Sequence, residues 1–372
     1  MTSWSMHEVP VPASVDAPDA GPLLALTRVT NDVIAHEWGT RDYDRTPQEI
    51  LGSLRDQAYV RKDRLLVTSD EDGPDGPAGT PLAYLAMNLP LRENTHTAHV
   101  EVGVLAPYRS RGIGGALHDE ALRRAREAGR RALTGSTDQL HEPAEGPATL
   151  VPSTGTGRVA AQDPAVRFVA SRGWQLEQVA RRSVLPVPVD PDVLARHRAA
   201  AQEHAGDEYR VVHWGSHAPD EWVDEYAKLN TRMSTDVPLG GLDFEEDVWD
   251  AERIRRTEAQ FVDRGIELVV AAAEHVPTRT LAAYTTLMLP PDNEEFVHQE
   301  DTLVIKEHRG RRLGLLVKAA NLQRLAEVRP AARRIATWNA EENSYMLRIN
   351  IDLGFRPAGG SGEWQLRLDG TD

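Results

Sequence analysis

The chain has no cysteine among its 372 residues. That excludes a disulfide framework, a thiolate metal site and an acyl-cysteine intermediate. It also has no long apolar run: nothing approaches the roughly 18–20 apolar residues of a membrane span, so no membrane association is expected. Residues 1–21 lack a basic stretch followed by an apolar one, and a cytoplasmic location is the expectation. Basic charge is scarce. With Lys+Arg 42 against Asp+Glu 57, the net charge is −15, which argues against a nonspecific nucleic-acid binder. The same acidity suits a cationic substrate such as an amine, or simply serves solubility. What is present, 40% hydrophobic and 27% charged residues, fits a globular protein. The length fits two domains of about 150–200 residues each.

A repeat sharpens that count. The segment Val104-Leu-Ala-Pro-Tyr-Arg-Ser-Arg-Gly-Ile-Gly114 returns as Val304-Ile-Lys-Glu-His-Arg-Gly-Arg-Arg-Leu-Gly314, with Val, Arg, Arg and Gly in register at 104/304, 109/309, 111/311 and 114/314. An apolar strand, a basic glycine-containing turn and a helix start form an arrangement that binds pyrophosphate through backbone N–H groups and the positive helix end. The chain thus reads as one phosphate-cofactor domain built twice.

Periodicity predicts helices over 23–37, 47–59, 112–128 and 163–171, and strands over 64–68, 81–89, 98–105, 131–134 and 175–185. The second half repeats the order. Helices are predicted over 219–233, 246–264, 313–328 and 343–351, with strands over 209–214, 267–274, 280–289, 302–305, 334–338 and 363–368. Residues 1–21 read as a flexible arm, 22–186 as the first domain, 187–207 as a linker and 208–372 as the second domain. A Gly/Pro/Asp cluster at 69–76 predicts a turn. Gly114 and Gly173 stand 59 residues apart, whereas Gly314 and Gly354 stand 40 apart. The difference is assigned to 136–162, a flexible loop acting as a lid or as an inert insertion. Antiparallel strands first and a helical crossover later predict α+β domains.

Arg109-x-x-Gly112-x-Gly114 after a strand resembles the acetyl-coenzyme-A motif of the GNAT acetyltransferase superfamily. So does the second copy, with Arg312 in place of Gly112. Trp338 to Phe355, ending Leu-Gly-Phe, resembles the superfamily's late strand–helix segment, and Ala165 to Trp174 is a weaker match to it. The resemblance covers roughly 60–185 and 210–368. It implies two tandem GNAT-like domains, each a mixed, mostly antiparallel sheet flanked by helices, with acetyl-coenzyme A as cosubstrate. Gly112 and Gly114 let the backbone approach phosphate. The N–H groups of 110–115, including Ile113 and Gly115, would face it, and Arg109 or Arg111 would add charge-assisted bonds. The equivalents are Arg309, Arg311, Arg312, Leu313 and Gly314. The resemblance further assigns backbone groups near Val102–Val104 and Leu303–Ile305 (with Val304 between) to the acyl carbonyl, and Asn339 to the pantetheine arm.

Direct transfer needs a deprotonated amine and an acid for the leaving thiolate. Glu101 and, in the same register, Asp301 are the candidate bases, with Glu300 adjacent. The superfamily's usual tyrosine acid is replaced by Val169 and Asn350, of which Asn350 retains a hydrogen-bond donor. The function these features imply is an N-acetyltransferase acting on a primary amine of a small molecule. A non-catalytic acyl-coenzyme-A sensor or scaffold, a peptide or protein acetyltransferase, and a relative of mycothiol synthase remain alternatives. The sequence predicts no metal site and leaves oligomeric state open.

Overall fold

The computed structural model describes residues 3–72 and 79–368; the chain ends and part of the predicted 69–76 turn lie outside them. The first half runs β1 (Trp4–Glu8), α1 (Gly21–Trp38), α2 (Pro47–Arg55), β2 (Val60–Ser69), β3 (Pro81–Pro90), β4 (Thr97–Val104), α3 (Ile113–Glu127), β5 (Ala132–Gln139), β6 (Thr149–Leu150), β7 (Val159–Ala160), α4 (Pro164–Ala170) and β8 (Gln175–Pro186). The second runs α5 (Pro191–Ala205), β9 (Tyr209–Trp214), α6 (Val223–Asp236), α7 (Ala251–Asp263), β10 (Glu267–His275), β11 (Thr280–Leu289), β12 (Phe296–Val304), α8 (Leu313–Val328), β13 (Arg334–Ala340), α9 (Ser344–Leu353) and β14 (Arg356–Arg367). Local chemistry sets many of these limits. Thr46 and Glu49 close a capping box on α2, and Asp163 caps α4 by accepting from the N–H groups of Ala165 and Val166. Gly354, at φ 98°, ends α9.

The fold is α+β and tandem, but the halves do not form separate sheets. A single 12-stranded sheet runs β1-β2-β3-β4-β5-β14-β8-β13-β12-β11-β10-β9. The closing strands have changed places: β14 pairs with β5, Trp364 opposite Gly135, while β8 pairs with β13, Leu185 opposite Ile335. Trp364 therefore lies in the first half's core and Leu185 in the second's. The boundary expected at 186/208 divides the sequence but not the packing, because strand alternation specifies a buried face and leaves the neighbour unspecified.

Three segments expected to be unstructured are folded in large part. Within the arm, β1 adds an antiparallel edge strand to β2 from Trp4↔Ser69 to Glu8↔Leu65, and Val9 and Ala20 are buried. The linker is mostly α5: Asp190 caps it by accepting from the N–H groups of Asp192 and Val193, and Leu194, Ala201 and Ala205 share a core with α8. The 136–162 insertion is also ordered, since β5 extends to Gln139 and β6 and β7 pair, placing buried Val159 in the first core. β12 starts six residues before the predicted Thr302; the polar run His298 to Asp301 hides the alternation there. Among the described residues no helix is long and apolar enough to cross a membrane.

Candidate acyl-transfer site

The two glycine-containing turns have one backbone design. After β4 and β12, single 3-10 turns at Ala106–Tyr108 and Lys306–His308 lead to left-handed residues: Ser110 and Gly112 in one, Gly310 and Arg312 in the other, with φ between 56° and 88°. The first intrahelical bonds are Ala116 N–H to the Gly112 carbonyl and Leu316 N–H to the Arg312 carbonyl. The N–H groups of 113–115 and 313–315 therefore point out of the helix ends, where an anion is favoured. The helix ends differ in what surrounds them. A Cβ on Gly114 would meet only ordinary contacts, 3.5 Å to Phe168 and 3.7 Å to Val104, and one on Gly115 would lie 3.2 Å from the Arg172 guanidinium. In the second copy buried Leu315 fills the place of Gly115, and a Cβ on Gly314 would come within 3.0 Å of Ile349. The first helix end has room and a cation for a pyrophosphate, so the residues present fit the coenzyme; the second is crowded.

The arginines named as phosphate partners are placed elsewhere. Arg109 Nε donates to the Val104 carbonyl at 2.9 Å and Arg309 Nε to the Val304 carbonyl at 3.1 Å, so each fastens its turn to its strand end. The remainder of Arg109 turns inward to Glu37, 3.5 Å away. Arg309 reaches the Asp236 carbonyl, Arg111 donates to the Pro107 carbonyl at 2.9 Å, and Arg311 stands 3.9 Å from Glu208. Arg172, which the sequence did not single out, occupies the α3 end instead, stacked on Phe168 with 3.8 Å to the ring centroid. The strand-end carbonyls and Glu37 are simply nearer to these side chains than the helix end is.

Beside each turn the sheet opens. β4 and β5 pair in parallel only over Thr97–His99 with Ala132–Thr134, and β12 and β13 only over Phe296–His298 with Arg334–Ala336. Beyond that, Val102 and Val104 edge the first opening, and Leu303, Val304 and Ile305 follow the second. Asn339 and Asn350 meet: Asn350 Nδ2 donates to Asn339 Oδ1 at 2.7 Å, and Asn350 is buried with its own Oδ1 unpartnered.

The candidate bases share a partner and differ in outlook. Tyr84 OH donates to Glu101, and Tyr284 OH donates to Asp301 at 3.0 Å. A Cβ on Gly103 would fall 2.1 Å from the Tyr84 ring, so only glycine lets that tyrosine lie across the strand. In the second half Leu303 takes that position and packs with Trp222, Tyr226 and Tyr284 in an apolar cluster. Glu101 instead faces a cavity of about 490 Å³ between the halves, walled by Glu37 and Trp38 of α1, Asp138 of β5, and His298 and Glu300 of β12. β12 carries a register shift opposite Thr285–Leu287 that β4 lacks over Val104–His99. This bulge is what separates Glu300, facing the cavity, from Asp301, facing Tyr284.

Burial dominates the electrostatics here. It pushes Glu37 up to about 7, with Asp138 adding and Arg109 opposing. It pushes Asp138 to about 6 against the bond from Ser361, and Glu300 to about 7 with help from Asp301. Glu300 is crowded by protein yet open to the cavity's water. Burial takes His298 down to about 4, and the nearby Arg45 charge adds to this. None of Glu37, Asp138 or His298 carried a motif. Glu37 and Asp138 meet where α1 packs on β5, and His298 joins them across the contact between the halves.

A stability test follows from the sign of these shifts. Glu37 and Asp138 hold protons in the folded chain at pH values where the unfolded chain has lost them. Their contribution is full below the ordinary carboxylate range and is lost as pH rises through about 6 and about 7. Tm should therefore fall between about pH 5 and about pH 8, and Glu37→Gln with Asp138→Asn should flatten the fall. A fall unchanged by the double substitution would assign it to other groups.

Residues 31–145, within the first half, match the Acetyltransferase (GNAT) family. No curated protein matches the sequence. Among solved structures, a tandem GNAT protein from the clavulanic acid biosynthesis pathway is similar over 100% of both chains, at 24% identity and TM-score 0.72. A GCN5-related N-acetyltransferase from Sphaerobacter thermophilus is similar over 98% of this chain and 95% of its own, at 15% identity and TM-score 0.59. N-myristoyltransferase of Saccharomyces cerevisiae, with bound myristoyl-CoA, is similar over 98% of this chain and 79% of its own, at 12% identity and TM-score 0.55. The chain has the fold of a tandem GNAT protein over its whole length, and residues 31–145 are similar to the acetyltransferase family. Acyl transfer from an acyl-coenzyme A is the chemistry of that family.

Proposed function

We propose that the first half transfers an acetyl group from acetyl-coenzyme A to a primary amine of a small molecule held between the two halves. One observation carries this. Glu101, held by Tyr84, faces a cavity of about 490 Å³ that adjoins both the β4–β5 opening and the α3 turn. That volume lies in the range of small-molecule pockets, about 300–1,000 Å³, and walls from both halves favour a compact acceptor over an extended peptide. The N–H groups of 113–115 and Arg172 hold the pyrophosphate, and the β4–β5 opening admits the thioester. Glu101 takes the ammonium proton, directly or through water. The amine nitrogen then bonds to the acyl carbon as the carbon–sulfur bond breaks; the second proton, shed by the nitrogen as it becomes an amide, passes through cavity water to the departing sulfur, and Glu101 returns its proton to solvent. The second half supplies the far cavity wall and, through β14, a neighbour for β5.

The test is coenzyme A release from acetyl-coenzyme A in the presence of a panel of primary amines, with products identified by mass spectrometry. Acetylated amine appearing one-for-one with free thiol is the expected result. Tight coenzyme binding with no turnover of any amine would replace this reading with the sensor alternative.

A further inference from the structure

The cavity is rich in carboxylates, yet most of those charges are already answered by the protein. Glu37 has Arg109 at 3.5 Å, Asp44 has Arg41 at 2.9 Å, and Asp138 accepts from Ser361 at 2.7 Å. Glu49 is spent in the α2 capping box, Asp163 caps α4, and Glu101 accepts from Tyr84. The cations are a different matter. Arg45 and Arg264 both line the cavity. Among the described residues, neither guanidinium has a carboxylate within 4.0 Å or a hydrogen-bond acceptor. Arg264 Nε is buried with no hydrogen-bond partner, and its guanidinium lies 5.4 Å from the Phe261 ring centroid. The two charges also act on one another: burial lowers the Arg264 pKa and Arg45 lowers it further, while Glu49 and Glu300 oppose the shift.

The Arg45 backbone and the Arg264 stem are both held in place. Asn31 clamps the Arg45 backbone, accepting from its N–H at 3.0 Å and donating to its carbonyl at 2.9 Å. The Arg264 stem lies in a notch that only Gly52 leaves open, since a Cβ there would come within 2.9 Å of Arg264 Cγ. Asp263, the adjacent carboxylate, is taken by Arg55 at 3.3 Å. Other arginines joining the halves are matched, as Arg256 is by Asp56 at 2.8 Å. Two mutually repelling guanidiniums in one cavity, neither in a salt bridge and with only Glu49 and Glu300 acting on Arg264 from a distance, suit an oxyanion, which a guanidinium fork binds well. Glu300, a lining carboxylate with no side-chain hydrogen bond among the described residues, feels the Arg264 charge and when protonated is poised to donate to such an oxyanion.

We infer that the acceptor is an amino-carboxylate, its amine presented to Glu101 and its carboxylate held by Arg45 and Arg264. This rests on the acyl-transfer reading of the same cavity. It names the acceptor class, an amino acid or a close derivative, and makes the two arginines specificity determinants.

The experiment compares acceptors that differ only in the carboxylate, L-lysine against cadaverine and L-ornithine against putrescine, in the wild type, Arg45→Gln and Arg264→Gln. The expected kcat/KM ratio favours the amino acid by about tenfold or more, the scale of a hydrogen-bonded charge pair, and collapses toward unity in either variant. A wild-type ratio at or below unity, or one that both variants leave unchanged, overturns the inference. A second arm needs no turnover: malonate should raise the Tm of the wild type more than chloride at equal ionic strength, and should lose that effect in both variants. Absence of transfer to every acceptor together with a variant-sensitive malonate shift would reject the acetyltransferase reading while keeping the anion site. No malonate shift in the wild type would reject the anion site itself.

Discussion

Glu101→Gln should lower kcat by about 10²–10⁴-fold, the usual contribution of a positioned general base, while leaving acetyl-coenzyme A affinity within about twofold. The carboxylate touches the Tyr84 hydroxyl and the cavity and stands apart from the helix end assigned to the pyrophosphate. With glutamine in place, only amine that has already lost its proton can attack. Residual activity should then climb about tenfold per pH unit below the amine's own pKa, near 10.4 for a lysine-type group, whereas the wild type should level off earlier. Asp301→Asn should leave turnover within a few-fold, since Asp301 is tied to Tyr284 beside an apolar cluster and does not line the cavity. Turnover lost with Asp301→Asn and kept with Glu101→Gln would move the chemistry to the second half.

What the sequence made legible was local. The turn pair at 104–114 and 304–314, the helices after them and most strands follow from periodicity, glycine placement and capping residues, all written in contiguous residues. The left-handed pair at 110 and 112 recurs at 310 and 312 although Arg312 is not glycine. Here the surrounding turn overrides the residue's own preference. The site was legible only where it is sequence-local. Glu101 could be proposed because it precedes the turn, whereas Glu37, Asp138, Arg45 and Arg264 come from four separate segments and meet only where helices and strands of the two halves pack together. No spacing rule encodes a cavity assembled from both halves. Asp301 shows the same limit from the other side. Its register with Glu101 is sound along the chain, but one extra residue at the β12 bulge hands the cavity-facing position to Glu300. The asymmetry between the turns was half visible, as Arg312 for Gly112. Leu315 for Gly115 became informative once the buried surroundings of α8 were known.

That asymmetry can be weighed by calorimetry. Wild-type protein should bind one acetyl-coenzyme A per chain, and Gly114→Val should weaken binding about 10- to 100-fold, the 1–3 kcal/mol typical of forcing methyl groups into a fitted space. The Cβ itself is tolerated at 3.5 Å from Phe168. The two γ-methyls are not, because they must go either toward Phe168 and Val104 or into the path of the phosphate. Gly314→Val meets Ile349 already at its Cβ, 3.0 Å away, so its cost should fall on folding. Tm should drop more than for Gly114→Val, with coenzyme affinity and stoichiometry unchanged. Measuring Tm and Kd on both variants separates the two effects, because a helix start that only supports the fold changes the first and one that cradles phosphate changes the second. Two coenzymes per wild-type chain, or equal affinity losses at the two glycines, would mean that Leu315 and Arg312 leave the second helix end open after all. The one-site assignment would then give way to two working turns.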